Sequence, residues 1–186
     1  MFKYTTIPNF LSKEECLNIV NVSLTNLNLI PAKIGNGDNL GYDENYRKSN
    51  VAFTKYNNSF PLLKDRIVNT LSDIIKVKGY DLSFDSNFQF TEYQKDGHYD
   101  WHTDSGGVLS HRYCSLVIQL NDEYNGGDLK IINNNQEIIL EKGIGNLFIF
   151  VSSLEHKVEK ITDGTRYSLV NWFSLKPIDG FKKTLL

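Results

Sequence analysis

Little in this chain points to a specialised environment. Cysteine is nearly absent: Cys16 and Cys114 are the only two, and they lie too far apart for the paired spacing of a zinc site. They read as reduced core thiols, which points to a cytoplasmic protein. The opening "MFKYTTIPNFLSKEE" lacks the basic region and apolar stretch of a secretory signal. No apolar run approaches the roughly 18 residues that cross a bilayer, so no membrane partner is expected. Neither sign of charge dominates, and a formal net charge of -2 gives no general pull toward nucleic acid. Repeats and low-complexity tracts are missing too. What remains is an ordinary globular balance, 40% hydrophobic and 23% charged over 186 residues, which suits a single domain with one core.

Ser12-Lys13-Glu14-Glu15 has the form of a capping box, in which the hydroxyl accepts from an orphan amide and Glu15 reaches back to the cap. Leu17, Val20, Leu24 and Leu27 then recur at helical spacing and predict an amphipathic helix over roughly 13 to 27. A second helix is expected after Pro61, with Leu63, Ile67, Leu71 and Ile74 on one face. Between the two runs "IGNGDNLGYDENYRKSN", from Ile34 to Asn50, rich in Gly, Asn and Asp. It is long enough to be a lid or a substrate-contact segment. Tyr42, Tyr46 and Arg47 within it are candidates for that contact, or for plain solvation.

Beyond Gly79 the pattern changes. Short runs rich in Phe, Ile, Val and Tyr alternate with turn signals such as Lys95-Asp96-Gly97, "NDEYNGG" and Asn133-Asn134-Asn135. Many short strands at this spacing read as an all-β sandwich or barrel. The expected architecture is mainly β with flanking helices, an α+β arrangement with both helices packed on one side. A helical lead-in would run over about 1–80 and a β core over about 81–178, within one domain spanning 1–186.

The stretch "GHYDWHTD" holds two overlapping copies of His-x-Asp, His98–Asp100 and His102–Asp104. In a strand, residues i and i+2 face the same side, so either copy aims an imidazole and a carboxylate at one point. A third ligand must come from elsewhere, and His111 and His156 remain. Two imidazoles and one carboxylate on one face of an ion leave about three positions open. That arrangement suits non-haem Fe(II) better than a closed structural zinc site, which usually takes four ligands with thiolates among them.

"YQKDGHYDWHTD" resembles the Tyr-x3-Gly-x-Tyr-x2-His-x-Asp run of the prolyl 4-hydroxylase-type Fe(II)/2-oxoglutarate dioxygenases. "LNDEYNGGDLKI" is similar to the family's Leu-Asn…Gly-Gly-x-Leu segment. "GNLFIFVSSLEHKVEKITDGTRYSLVNWF" resembles its closing block, and "IPNFLSKEEC" its lead-in. The resemblance implies a double-stranded β-helix, or jelly roll, with the N-terminal helices packed on one sheet. It implies iron ligands at His102, Asp104 and His156, and a cosubstrate-binding cation at Arg166. It places Tyr93, Ser168 and Leu129 around 2-oxoglutarate. His98 and Asp100 would then sit near the pocket mouth. The implied reaction is hydroxylation of a C–H bond with Fe(II), 2-oxoglutarate and O2, with ascorbate as a further cofactor. The implied substrate is a prolyl residue in a peptide or protein, or alternatively a free amino acid or other small molecule.

Tyr99 and Trp101 are candidates for the substrate entrance or for core packing. Trp172 and Phe173 read as core, and His111 as structural or exposed. Gln119 departs from the aromatic residue that relatives often carry at that point. For His156 and Arg166 to share an interior on one hairpin, a three-residue Thr162-Asp163-Gly164 loop or an equivalent bulge is expected, the loop pairing 160 with 166 and 156 with 170. Arg166 would then stand about 14 Å along the strand from the position opposite His156.

Three rivals are weaker. Nucleic-acid demethylases with the same iron chemistry carry a second Arg six residues after the first, where this chain has Trp172. Halogenating relatives replace the metal carboxylate with a small residue, whereas Asp104 is present. A non-catalytic metal-binding β module would not need Arg166.

Overall fold

The structure is a computed structural model that describes residues 2–35, 40–55, 62–77, 79–85 and 87–178. Pro61, expected to open the second helix, and residues 36–39 of the Gly/Asn-rich loop lie outside the described residues. Among those described, no helix is long and apolar enough to cross a membrane.

The first helix, α1 (Lys13–Asn26), begins as its sequence dictates. Ser12 Oγ accepts from the Glu15 amide at 3.1 Å, and the Ser12 amide donates to Glu15 Oε2 at 2.8 Å, which closes the capping box. Its buried face coincides only in part with the expected stripe, since Val20 is buried and Leu27 packs against the core. Cys16, Ile19, Val20 and Ser23 turn inward, while Leu17 and Leu24 stay exposed. Two stripes of similar hydrophobicity share this helix, and the one carrying the small Cys16 and Ser23 lets the backbone approach more closely. The second helix, α2 (Leu63–Ile74), buries Leu63, Ile67 and Leu71 as its spacing requires. Arg66 bridges both oxygens of Glu15 at 2.8 and 3.2 Å and so joins the two helices, though at an exposed site that adds little stability.

The strands form two main antiparallel sheets. The larger takes β1 (Tyr4–Ile7), β12 (Leu147–Val151), β8 (Cys114–Gln119), β15 (Arg166–Pro177), β6 (Asn87–Tyr93), β4 (Asn50–Lys55) and β2 (Ile30–Pro31) in that order, with β5 (Tyr80–Phe84) pairing along the far half of β15. The smaller takes β11 (Gln136–Leu140), β10 (Leu129–Asn133), β13 (His156–Val158), β7 (His98–His102) and β3 (Arg47–Lys48). A two-stranded ribbon joins β9 (Tyr124–Gly126) to β14 (Ile161–Gly164). Successive strands cross from one main sheet to the other: β6 to β7, β7 to β8, β12 to β13.

Both faces of the larger sheet are buried, and for that reason its strands read as continuous apolar runs rather than alternations. The period of two still sorts them. Phe88, Phe90, Leu116, Ile118, Leu147, Ile149, Leu169 and Phe173 share one buried cluster with Cys16, Ile19, Ile67 and Leu71 of the helices. On the opposite face Tyr93, Val117, Phe148 and Phe150 meet Leu129, Ile131, Leu140 and Val158 of the smaller sheet.

The expected hairpin between His156 and Arg166 does not exist. β13 pairs with β7 and β10, whereas β15 pairs with β6, β8 and β5. The intervening Ile161–Gly164 serves the ribbon with β9. His156 and Arg166 therefore reach a common interior from opposite sheets. A turn signal in sequence does not reveal whether the chain folds back or crosses over, and here it crosses.

The shared cluster of helices and sheet makes a stability prediction. Leu71→Ala, at 0% exposure, should cost roughly 2–5 kcal/mol in denaturant unfolding. Leu62→Ala, at 76% exposure one residue before the same helix, should stay within about 0.5 kcal/mol of the parent. Equal effects at the two sites would show that α2 does not share the core.

Candidate metal centre

His102 ends β7 and His156 begins β13, and the two stand opposite each other in the strand register. Between this pair and the Val158–Tyr99 pair the register shifts by one residue, a bulge in β7. The bulge puts Tyr99 and His102 on one side, with their rings stacked at 3.5 Å between centroids. It also separates the two His-x-Asp copies. His98 is drawn outward to the carbonyls of Asp96 and Asn45, at 3.0 and 3.1 Å, and Asp100 is exposed.

Asp104 does not sit on the strand. It follows in a bend whose amide donates to the Ser152 carbonyl at 2.9 Å, so it converges with His102 because the chain turns there and not through pleat alternation. His102 Nδ1 lies 2.7 Å from the Asp100 carbonyl and His156 Nδ1 lies 2.9 Å from the Leu154 carbonyl. Each ring donates from Nδ1 in that geometry and leaves Nε2 bare, the usual way a protein orients a ligating imidazole. The Nε2 atoms stand 3.7 Å (His102) and 3.4 Å (His156) from the Asp104 carboxylate. One ligand atom from each residue lies within 4.8 Å of the others, a spacing that could hold a single ion.

Two of the three protonation states suit ligation as they stand, a neutral His102 and an ionised Asp104, whereas His156 must give up its proton to bind an ion. Burial, aided by the charge of His156, pushes the His102 imidazole down to about 3. Burial opposes ionisation of Asp104, but His156, His102 and a hydrogen bond from Ser115 outweigh it and hold the carboxyl below its ordinary range. Burial likewise opposes charge on His156, and the Asp104 carboxylate overrides it, raising that imidazole. Two further donors meet Asp104 Oδ2: Ser115 Oγ at 2.7 Å and Trp172 Nε1 at 2.9 Å.

All three residues line one cavity of about 680 Å3 between the two sheets. Arg166, from β15, lies in the same cavity at 1% exposure. Its Nη1 donates to Ser168 Oγ at 3.1 Å, and its guanidinium lies 5.4 Å from the centroid of Tyr93, its partner across the β15–β6 ladder. Its Nε and Nη2, the two donors along one edge, are buried with no partner among the described residues. A carboxylate is the group that such an edge takes bidentately. Leu129 lines the wall close by. Gly127, at φ 66°, packs so tightly that a Cβ there would collide with Ile161 and press on Tyr124 and on Arg166 Cδ. A glycine is required for that approach.

Of the other candidates, Tyr99 lines the cavity, and burial pushes its phenol up to about 12. Trp101, beyond the bulge, is not part of the lining; Lys157 Nζ sits over its ring at 4.9 Å. Tyr46 and Arg47 line the cavity, with Arg47 over the Tyr99 ring at 4.3 Å, whereas Tyr42 is 62% exposed. His111 is exposed. Gln119 is buried and donates to Tyr124 Oη at 2.9 Å, a polar link beside Arg166 in place of an aromatic ring. Sequence reasoning missed Ser115 and Arg112 and assigned Trp172 to the core. The one available signal was the alternation along "RYSLVNWF", which puts Arg166, Ser168, Val170 and Trp172 on one face; all four line the cavity.

Comparison with known proteins agrees with this geometry. Residues 88–174 match the family model of the 2OG-Fe(II) oxygenase superfamily. A "PKHD-type hydroxylase" of Janthinobacterium sp. (strain Marseille) is 31% identical over 106 residues, 52% of this chain and 47% of the relative. The chain thus spans about half the length of that relative. Another of the same name, from Aliarcobacter butzleri (strain RM4018), is 26% identical over 97% of this chain and 82% of the relative. The fold is similar to that of a Trichoplax adhaerens prolyl hydroxylase in complex with a hypoxia inducible factor peptide fragment, at a TM-score of 0.79 and 17% identity over 94% of this chain and 84% of that one. Over residues 88–174 the chain thus resembles the 2OG-Fe(II) oxygenase superfamily, and it is similar to bacterial relatives that carry the PKHD-type hydroxylase name.

Proposed function

We propose that this chain is an Fe(II)- and 2-oxoglutarate-dependent dioxygenase that hydroxylates a C–H bond of a prolyl residue in a peptide or protein. One observation carries the reading: a His, an Asp and a His able to share an ion line the same cavity as a buried arginine with a free donor edge. The donor set fits iron. It contains two imidazoles and one carboxylate but no thiolate, and Cys16 and Cys114 lie in the cluster on the helix side of the larger sheet. The crossing of successive strands supports a double-stranded β-helix within a single domain, with α1 and α2 covering its outer face.

His102, Asp104 and His156 hold the metal and leave about three positions open. Arg166 takes the far carboxylate of 2-oxoglutarate on its Nε–Nη2 edge, and Ser168 and Tyr93 supply hydroxyls beside it. Leu129 closes the apolar wall and helps exclude water. When bound, Fe(II) with 2-oxoglutarate and O2 supplies the oxidising power, with succinate and CO2 as coproducts and one oxygen delivered to the substrate. Tyr99 braces His102 by stacking and so fixes the plane in which Nε2 points. Ascorbate, which keeps such iron ferrous, belongs to the same proposal. The names of the bacterial relatives and the peptide in the Trichoplax complex support a prolyl substrate. A second reading, a free amino acid or other small carboxylate, is favoured by Lys33, Arg47 and Arg112, which also line the cavity.

The purified chain supplied with Fe(II), 2-oxoglutarate and O2 should release succinate. Mass spectrometry of candidate peptides, run beside free proline, should find an added oxygen in one of the two. His156→Ala should lose iron binding and succinate release together, while His98→Ala keeps both; the reverse pattern would sink the ligand assignment. Arg166→Ala should retain iron but raise the KM for 2-oxoglutarate roughly tenfold to a hundredfold, the scale of a lost charge-assisted hydrogen bond. An unchanged KM would remove Arg166 from the cosubstrate site.

A further inference from the structure

The indole of Trp172 does something that a core residue has no need to do. Its Nε1 donates to Asp104 Oδ2 at 2.9 Å, and Ser115 Oγ lies 2.7 Å from the same oxygen. Trp172 and Ser115 are cross-strand partners in the β15–β8 register, so their side chains leave the larger sheet side by side toward the cavity. We propose that this pair is a positioning device for the metal carboxylate: it occupies Oδ2 and thereby presents Oδ1 alone to the ion. The proposal rests on the iron-centre reading above.

An ionised carboxylate only accepts hydrogen bonds, with about two lone-pair sites on each oxygen, and an indole only donates. Trp172 and Ser115 therefore fill both sites on Oδ2. Ser115 Oγ also lies 3.0 Å from Ser152 Oγ. Because Ser115 must spend its proton on Asp104, Ser152 donates to Ser115, and the relay runs in one direction, Ser152 to Ser115 to Asp104. Ser152 holds the same residue a second way, since its carbonyl accepts the Asp104 amide at 2.9 Å. Ser115 and Ser152 are both 0% exposed and Trp172 is 7% exposed, so the donors are largely shielded from bulk water.

The indole is fixed from its other face as well. The Arg112 guanidinium sits 3.8 Å from the Trp172 ring centroid and reaches Asp85 at 3.6 Å. His156 Nε2, at 3.4 Å from Oδ2, is beyond ordinary hydrogen-bond length and does not replace either donor. Oδ1, 3.7 Å from His102 Nε2, is the oxygen that neither of these donors meets. Held this way, Asp104 cannot swing both oxygens onto the ion, and the position a second oxygen would take stays open for the cosubstrate.

The test is anaerobic titration of the metal-free protein with Mn(II), followed by calorimetry, for wild type, Trp172→Phe, Ser115→Ala and Ser115→Thr. The first two variants at these positions, Trp172→Phe and Ser115→Ala, should bind Mn(II) roughly tenfold to a hundredfold more weakly, the usual cost of removing a group that orients a metal ligand. Ser115→Thr, which keeps the hydroxyl, should stay near wild type. The visible spectrum of the Co(II)-loaded protein reports ligation and not packing. It should shift in the two weakened variants as Asp104 turns toward two-oxygen ligation. A folded Trp172→Phe protein with wild-type Mn(II) affinity and an unchanged Co(II) spectrum overturns the proposal. Should Trp172→Phe not fold, the serine variants decide: weakening confined to Ser115→Ala supports the proposal, and equal affinities overturn it. Failure of the wild-type protein to bind Mn(II) overturns the iron-centre reading and this proposal with it, whereas binding that is indifferent to Trp172 and Ser115 overturns this proposal alone.

Discussion

A guanidinium at 1% exposure sets the terms for the interior of this fold. Arginine stays charged under any condition in which the protein is folded, and moving its charge out of water costs several kcal/mol unless other groups answer it. Ser168 answers one nitrogen and the Tyr93 ring offers its face, but the Nε–Nη2 edge remains unmatched. Such a residue is tolerated where an anion completes the site. On the proposed function, a dicarboxylate whose other end reaches the His102–Asp104–His156 cluster would meet that demand, and a cost to the fold and a requirement of the chemistry would have the same solution.

Bringing the two ends of the site together is the work of strand crossing. His102 and His156 come from the smaller sheet, and Arg166, Ser168, Tyr93 and Trp172 from the larger. Only the facing of two sheets puts them around one cavity, and the larger sheet can face inward with polar groups because its other side is closed by apolar side chains shared with the helices. Its strands carry two jobs at a period of two. In "CSLVIQ" the residues Cys114, Leu116 and Ile118 join the helix-side cluster, and alternating with them Ser115 reaches Asp104 while Gln119 reaches Tyr124. A register slip by one residue would exchange a structural face for a chemical one.

What could be read from sequence follows the same division. That His102, Asp104, His156 and Arg166 would meet at one cavity was legible because each sits in a motif whose residue types the expected chemistry dictates. The capping box at Ser12 was legible because it is local, closing within four residues. The route by which His156 and Arg166 meet was not, since Thr162-Asp163-Gly164 carries the same turn signal whether the chain folds back or crosses to another sheet. The bulge in β7 left no mark in sequence either, although it decides that Tyr99 and not Trp101 faces inward. On α1, Leu17 and Leu24 looked like the core stripe because periodicity alone cannot choose between two stripes when one of them contains a small thiol and a hydroxyl. Trp172 was hidden by its own chemistry: a large ring beside Phe173 reads as packing, and only the position of Asp104 reveals that its N–H has a partner.

The cavity is also divided along its depth, which explains why reaction class and substrate differ so much in how well they can be read. Its inner end is built from strand residues held in ladders, where Arg166, Ser168 and Tyr93 have fixed neighbours. Much of its remaining lining comes from segments outside the main strand ladders: Lys33 and Leu40 before β3, and Gly106, Leu109 and Arg112 between β7 and β8. A cavity of about 680 Å3 exceeds what a five-carbon diacid and one ion fill, so most of the remaining space is shaped by these segments. Loops accept substitution without disturbing the sheets, and they carry no periodicity to betray their role. On the proposed function the sheets would set the reaction and the loops the molecule that meets it; Arg112 connects the two, lining the cavity with its charge while it stacks on Trp172, which donates to the candidate metal carboxylate of Asp104.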